Sequence, residues 1–100
     1  MRTSPDLLFK AVSDPTRLRI LRLLSDGELC VCDLTQNLKA GQSKVSRHLA
    51  YLKRTGLVVG RDKGRWSYYA LAKPQEELHR RLLACVRAAP LPARRRNCAS

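Results

Sequence analysis

Residues 28–56 read ELCVCDLTQNLKAGQSKVSRHLAYLKRTG, and this segment predicts two helices joined by a short turn. The first helix should cover about residues 31–38, and the second should cover residues 42–55 and end at Gly56. Lys39-Ala40-Gly41 forms the turn between them. An apolar stripe at steps of four and three marks the buried face of the second helix: Val45, Leu49 and Leu52. Two short helices joined so closely are the helix-turn-helix pattern.

Two further helices should precede this pair. Ser4-Pro5-Asp6 and Asp14-Pro15-Thr16 each combine an N-cap residue with a proline at the first helical position. Gly27 closes the second of these helices. Three arginines share that helix, and we expect most of them to form a solvated face and one or two to contact phosphate: Arg17, Arg19 and Arg22.

A β-hairpin and a last helix should follow. Residues 57–59 and 66–71 are rich in branched and aromatic side chains, so they predict two strands on either side of a basic tip. After Pro74, one apolar face is shared by Leu78, Leu82, Cys85, Val86 and Ala89. The expected fold is therefore mainly α with a small β-hairpin, a winged helix-turn-helix.

Composition points to one domain with a polyanionic partner. The chain has 100 residues, 44% of them hydrophobic, and 20 Lys and Arg against 8 Asp and Glu give a net charge of +12. Such an excess of positive charge suits nucleic acid. We assign residues 1–89 to a DNA-binding and dimerisation domain. Residues 90–100 are rich in proline and arginine, and we expect them to be a disordered tail.

Several classes of protein fit the chain poorly. No apolar run approaches membrane-spanning length and no signal-peptide pattern opens the chain, so we expect a cytoplasmic protein with no membrane partner. Its acids and histidines show no grouping of nucleophile, base and pocket, so an enzyme is not expected. A structural nucleic-acid binder of the ribosomal type would share the charge, but it would not require paired thiols.

The second helix of the pair carries the candidate DNA-reading side chains. Glutamine and arginine can form bidentate pairs with adenine and guanine, and serine suits bases or phosphates. Lysine and histidine suit the backbone, which positions the protein without specifying sequence. The candidates on this helix are Gln42, Ser43, Lys44, Ser46, Arg47 and His48. At the hairpin tip, Arg61, Lys63 and Arg65 are placed to reach the minor groove or flanking phosphates.

A homodimer is expected from area and symmetry. The apolar faces of the first and last helices exceed what a core of this size can cover. A two-fold dimer would also present two reading helices to a palindromic, double-stranded operator.

Two thiols lie at the start of the third helix. Cys30 occupies the N-cap position, where Ser, Thr, Asp or Asn is preferred, and Asp33 follows where a reciprocal cap would lie. Residues two apart in a helix point in opposite directions. Cys30 and Cys32 therefore cannot both bind one small ion while the first turn stays regular. We expect a soft ligand to distort that turn and weaken DNA binding through the adjoining helix.

Four segments resemble the ArsR/SmtB family of bacterial repressors. They are Asp14-Pro15-Thr16-Arg17-Leu18-Arg19-Ile20-Leu21, Glu28-Leu29-Cys30-Val31-Cys32-Asp33-Leu34, Ser46-Arg47-His48-Leu49, and Lys63-Gly64-Arg65-Trp66 with Tyr68-Tyr69. The segment Cys-Val-Cys-Asp-Leu is similar to the arsenic-sensing branch. The resemblance implies a homodimer that represses an arsenic-resistance operon and leaves DNA when trivalent arsenic or antimony binds. It implies no organic cofactor.

The chain departs from that branch at one position. In its best-known members a third cysteine directly follows this segment, whereas this chain has Thr35. Trivalent arsenic prefers three thiolates, so the third ligand could be exogenous or could come from Cys85 or Cys98. We expect Cys85 to be buried packing.

Two other sensors of the same fold are considered. A zinc sensor is disfavoured, because the last helix offers only His79 and no Cys/His spacing supplies four ligands. A redox or sulfur-responsive repressor is the main alternative, in which Cys32 and Cys85 form a regulatory disulfide.

Overall fold

The computed structural model describes residues 3–91. Within that range it contains five helices and three short strands. In chain order they are α1 (Pro5–Val12), α2 (Pro15–Leu24), β1 (Leu29–Cys30), α3 (Val31–Leu38), α4 (Gln42–Arg54), β2 (Val58–Lys63), β3 (Trp66–Leu71) and α5 (Glu77–Ala88). The helix-turn-helix, the hairpin and the last helix are confirmed. The strand β1 is additional to the expected hairpin.

The helix-turn-helix is held by a left-handed residue between its two helices. Lys39 has φ 51°, and its N–H donates to the carbonyl of Gln36. The N–H of Ala40 donates to the carbonyl of Thr35 at 3.2 Å. These bonds satisfy carbonyls at the end of α3, as in other left-handed helix caps. The chain can then enter α4 at Gln42 after only three connecting residues.

The three strands form one antiparallel sheet in the order β1-β3-β2. The strands β2 and β3 pair from Val58↔Leu71 to Lys63↔Trp66, so the turn at the tip has only two residues. Its first residue, Gly64, has φ 63°, as a type II′ turn requires. The strands are therefore paired up to residues 63 and 66, whereas the sequence predicted a six-residue loop over residues 60–65. On the other edge of β3, Leu29 pairs with Tyr69 and Cys30 with Tyr68.

The core fixes how α4 is presented. Leu34 on α3 and Val45, Leu49 and Leu52 on α4 are fully buried, so the expected apolar stripe of α4 is confirmed. They pack in one cluster with residues of every other helix and of the sheet. Truncating such a leucine to alanine typically costs about 2–5 kcal/mol. The opposite side of α4 is left exposed.

Helix α5 buries a different face from the one expected. Its buried residues are His79, Leu82, Leu83 and Val86. Cys85 is exposed, so the expectation that it is core packing was wrong. The side chain of His79 is only 3% exposed, and its Nδ1 accepts a hydrogen bond from the N–H of Gln75. Its Nε2 is buried, with no hydrogen-bond partner among the described residues.

Apolar side chains remain on the surface of α1. Phe9 is 53% exposed and Leu7 is 40% exposed.

Among residues 3–91, none of the helices is both long and apolar enough to cross a membrane. Most of the expected disordered tail, residues 92–100, lies outside the described residues.

Candidate nucleic-acid interface and thiol site

The exposed side of α4 carries most of the expected DNA-reading side chains. Those that are exposed and point away from the core are Gln42, Ser43, Lys44, Ser46 and Arg47. The helix has no acidic residue, and its last turn adds Lys53 and Arg54. A narrow basic helix of this kind matches the width and charge of the major groove.

His48 differs from the other candidates on α4, because it is half-buried against α2. Its Nδ1 lies 3.4 Å from Nη1 of Arg17 and 3.9 Å from the carboxylate of Asp14. Burial is the main cause that lowers the pKa of His48; Asp14 opposes it, and the nearby positive charges of Arg17, Lys44 and Arg47 add to it. A neutral imidazole can accept a hydrogen bond from Arg17. Its orientation is therefore fixed within the protein rather than towards solvent.

The sequence predicted that most of the arginines on α2 form a solvated face. Arg17 is instead held within the protein. Its Nε donates to the carbonyl of Ala11 at 3.0 Å, and Nη2 donates to the carbonyl of Lys10 at 3.2 Å. Its guanidinium also stacks over the ring of Tyr51, 4.1 Å from the centroid. Arg17 thus joins the end of α1 to α4. A sequence cue for this role was the Asp14-Pro15-Thr16 helix start. The Asp14 carboxylate accepts the backbone N–H of Arg17 at 3.0 Å, and this cap places Arg17 in the first turn of α2.

The basic tip of the hairpin is divided into paired and unpaired side chains. Arg61 makes a two-pronged ion pair with Glu28, at 2.7 and 2.8 Å. This pair lowers the pKa of Glu28 and raises that of Arg61, chiefly through its hydrogen bonds. Lys63 and Arg65 are exposed and make no ion pair among the described residues. The charge that is available at the tip therefore comes from Lys63 and Arg65.

Cys30 caps α3 as the sequence predicted. The N–H of Asp33 donates to Cys30 Sγ at 3.4 Å, and the thiol is placed to donate to the Asp33 carboxylate at 3.4 Å. Cys30 is only 2% exposed and is a free thiol. The same sulfur thus holds the first turn of α3 by two contacts. A ligand that takes this sulfur must compete with the cap.

Cys32 faces a different environment. It is half-buried and lines a cavity of about 310 Å³ between α3, the start of α4 and the hairpin. Other residues around the cavity include Thr35, Gln42, Arg65 and Trp66. In this structure Cys32 is disulfide-bonded. The expected opposite orientation of the two sulfurs agrees with these separate surroundings.

Within the described range, residues 3–91, the structure groups no third thiol with Cys30 and Cys32. Cys85 is exposed and is a free thiol, so the Cys32–Cys85 disulfide of the alternative redox sensor is not formed. Cys98 lies outside the described residues. Thr35 Oγ1 donates to the carbonyl of Cys32 at 2.8 Å. Among residues 3–91, no three His, Cys, Asp or Glu side chains are grouped closely enough to hold a metal ion.

The thiol segment contacts both parts of the candidate nucleic-acid interface. The strand β1 ends at Cys30 and pairs with β3, which forms one side of the hairpin. Helix α3 starts at the next residue and packs on α4. The Glu28–Arg61 ion pair adds a third link, between the residue before β1 and the hairpin. A change at the start of α3 therefore acts directly on both elements.

A protein-family model matches residues 14–59, and its description is a bacterial regulatory protein of the arsR family. The arsenical resistance operon repressor of Escherichia coli K12 is 52% identical over 69 residues, which cover 68% of this chain and 59% of the repressor. The chain thus spans less than two thirds of that relative's length.

Solved structures agree with the fold. HlyU from Vibrio cholerae superposes with a TM-score of 0.74 at 34% identity, covering 83% of this chain and 87% of that one. The winged helix-turn-helix DNA-binding domain of Mb0332 from Mycobacterium bovis, described as homodimeric, gives a TM-score of 0.71 at 32% identity. That match covers 83% of this chain and 74% of the other.

Proposed function

Because the chain belongs to the ArsR family of bacterial regulatory proteins, we propose that it represses an arsenic-resistance operon as a DNA-bound homodimer. In this proposal, trivalent arsenic or antimony binds Cys30 and Cys32 and releases the protein from its operator. The protein acts in the cytoplasm, where the DNA is. Membership of the family also makes the chain a DNA-binding regulator and not an enzyme.

The arsenic response is supported by the position of Cys30. Its sulfur is the cap of α3, and a soft ligand bound through sulfur competes with the hydrogen bonds to Asp33. Cys32, two residues later, must turn towards the same ion, so the first turn of α3 must change shape. This observation carries the mechanism, because β1 and α3 are the elements that support the hairpin and α4.

The ligand set comes in part from outside the pair. Cys30 and Cys32 supply two thiolates once the Cys32 disulfide is reduced, and the soft sulfur donors match the preference of trivalent arsenic. The third ligand is exogenous or comes from a cysteine elsewhere in the dimer. The name of the E. coli relative, an arsenical resistance operon repressor, gives independent support.

The DNA-binding part of the proposal places α4 in the major groove. Gln42, Ser43, Ser46 and Arg47 would face base edges, and Lys44 the backbone. Lys63 and Arg65 would contact flanking phosphates from the hairpin. His48 would act by holding Arg17 rather than by touching DNA.

The dimer is proposed to form through α1 and α5 within the 1–89 domain. The exposed Phe9 and Leu7 supply apolar surface on α1. Mb0332 from M. bovis is described as homodimeric. A two-fold pair would place two copies of α4 on one face of a duplex, as palindromic recognition requires.

The test is fluorescence anisotropy with a duplex from the DNA upstream of the gene, using protein reduced with a phosphine. We expect arsenite to weaken the wild-type complex by about 5–150-fold, the usual range of allosteric coupling. Cys30→Ser and Cys32→Ser should bind DNA and ignore arsenite. Cys85→Ser removes an exposed free thiol; it should respond like the wild type if the third ligand is exogenous, and more weakly if Cys85 supplies that ligand. Equal responses in all four proteins would reject Cys30 and Cys32 as the sensor.

A redox-responsive repressor is the second candidate, and the disulfide at Cys32 favours it. Oxidation of Cys32 would then change DNA affinity without arsenite. The two functions separate in one comparison, in which operator affinity is measured for reduced and diamide-oxidised protein. A change that is lost in Cys32→Ser and kept in Cys30→Ser would support the redox function. An unchanged affinity on oxidation would exclude it.

A further inference from the structure

A basic pocket lies where the side of α4 meets α2. It has a volume of about 280 Å³ and is lined by Arg17, Arg47, His48, Tyr51 and Arg54. We call it the α2–α4 pocket. Its α4 residues follow at steps of three and four, so they share one side of the helix. Gln42 lines the other cavity, the one beside Cys32 and the hairpin, and it lies five residues before Arg47, about 140° around the helix. The α2–α4 pocket therefore lies on a different side of α4 from the hairpin.

The charge of the α2–α4 pocket is strongly positive. Three arginines line it and no acidic side chain does, although Asp14 approaches His48 to 3.9 Å at its edge. Arg47 and Arg54 are exposed and form no ion pair with an acid in the described part of the chain. By contrast, the exposed Arg80 and Arg81 on α5 are both paired with Glu77. The two arginines of the pocket therefore keep their charge available for an external anion.

The pocket is also built around a fixed platform. Tyr51 carries the guanidinium of Arg17 at 4.1 Å from its ring centroid and that of Arg54 at 5.5 Å. Arg17 cannot swing away, because two main-chain carbonyls of α1 and the ring of His48 hold it. One positive charge is thus in place before an anion arrives, and cation–π contact orients a second.

We propose that the α2–α4 pocket binds a phosphate of the DNA backbone on the side of α4 that faces away from the hairpin. Guanidinium groups match the geometry and charge of phosphate oxygens. A helix in the major groove has a phosphate backbone on each side, and the hairpin serves only one of them. Arg54 is the direct contact, and Arg17, Tyr51 and His48 position it. This inference rests on the proposed DNA-binding function.

The test measures how DNA affinity depends on salt for the full chain and for Arg54→Gln. Each neutralised phosphate contributes about 0.9 to the slope of log affinity against log salt. We expect Arg54→Gln to lower the slope by about 1.8 per dimer. The loss should be equal for upstream and random duplexes, because phosphate contacts carry no sequence information. Lys73→Gln removes the same charge from an exposed side chain between β3 and α5, and it should leave the slope unchanged.

A second measurement locates the contact. Single uncharged methylphosphonate linkages are placed one at a time along the duplex. One linkage should weaken wild-type binding and have no effect on Arg54→Gln. An Arg54→Gln slope equal to that of Lys73→Gln, or the same linkage profile in the wild type and Arg54→Gln, would overturn the pocket and leave the DNA-binding function intact. Failure of the wild type to bind any duplex would overturn both. Circular dichroism should show that both variants are folded.

Discussion

Replacing Glu28 with glutamine should strengthen DNA binding. In the structure Glu28 holds Arg61 by two hydrogen bonds of 2.7 and 2.8 Å, so this arginine is occupied by the protein itself. The side chain of Arg61 is 55% exposed, and without Glu28 it can turn to a phosphate. Each additional phosphate contact steepens the salt dependence by about 0.9. Two hairpins per dimer would add about 1.8 to the slope. The variant should therefore lose about twelvefold more affinity than the wild type between about 50 and 200 mM salt.

The assay is anisotropy on the upstream duplex over that range of salt. Asp26→Asn is the matched control. Asp26 lies two residues before Glu28 and is paired with Arg22 on α2, so this variant removes the same charge from a different ion pair. We expect Asp26→Asn to shift affinity only slightly and to keep the wild-type slope. Equal slopes for the two variants would refute the idea that Glu28 competes with DNA for Arg61. The effect would then be one of net charge.

Three further outcomes are expected. Cys30→Ser should change the free energy of unfolding by no more than about 1 kcal/mol in urea titrations, because serine is a good N-cap for the Asp33 amide but fills less space; a loss of folding would make the thiol structural. Thr35→Cys, which adds a thiol close to Cys32, should release DNA at lower arsenite concentrations than the wild type, and an unchanged midpoint would contradict this. Burial lowers the pKa of His79, so its charged form is disfavoured in the folded state and stability should fall as pH drops below about 6.5. His79→Leu should remove part of this loss and add about 1 kcal/mol at pH 7.5, since a buried donor without a partner disappears; equal losses on acidification in both proteins would count against it.

Local signals predicted the helix-turn-helix well. The bounds of α3 and the start of α4 agree with the sequence, because caps, the turn and the apolar period are all encoded within a few residues. The cap by Cys30 was likewise predictable from its position before α3. Each of these features depends on neighbours along the chain.

Long-range contacts were missed. The strand β1 exists because Leu29 and Cys30 pair with tyrosines about forty residues later, and two residues carry no strand pattern of their own. Arg61 is predicted to contact DNA, and its ion pair with Glu28, 33 residues away in sequence, was not foreseen. No local pattern indicates either contact. Both contacts depend on β3, which pairs with β1 on one edge and with β2 on the other.

The last helix shows how a helical period can be assigned to the wrong face. The sequence offered Leu78, Leu82, Cys85, Val86 and Ala89 as one face. The structure buries His79 and Leu83 in place of Cys85, because the helix is rotated towards them. A histidine was not expected in the core, and one hydrogen bond from a main-chain N–H helps to hold it there.

The coupling between the thiols and α3 can be observed at one amide. The N–H of Asp33 now donates to Cys30 Sγ at 3.4 Å. In ¹⁵N NMR spectra of the reduced protein, arsenite should shift the Asp33 amide and speed its exchange with solvent, in parallel with the loss of DNA affinity. An Asp33 amide that stays unchanged while arsenite releases the DNA would contradict the proposed distortion of α3.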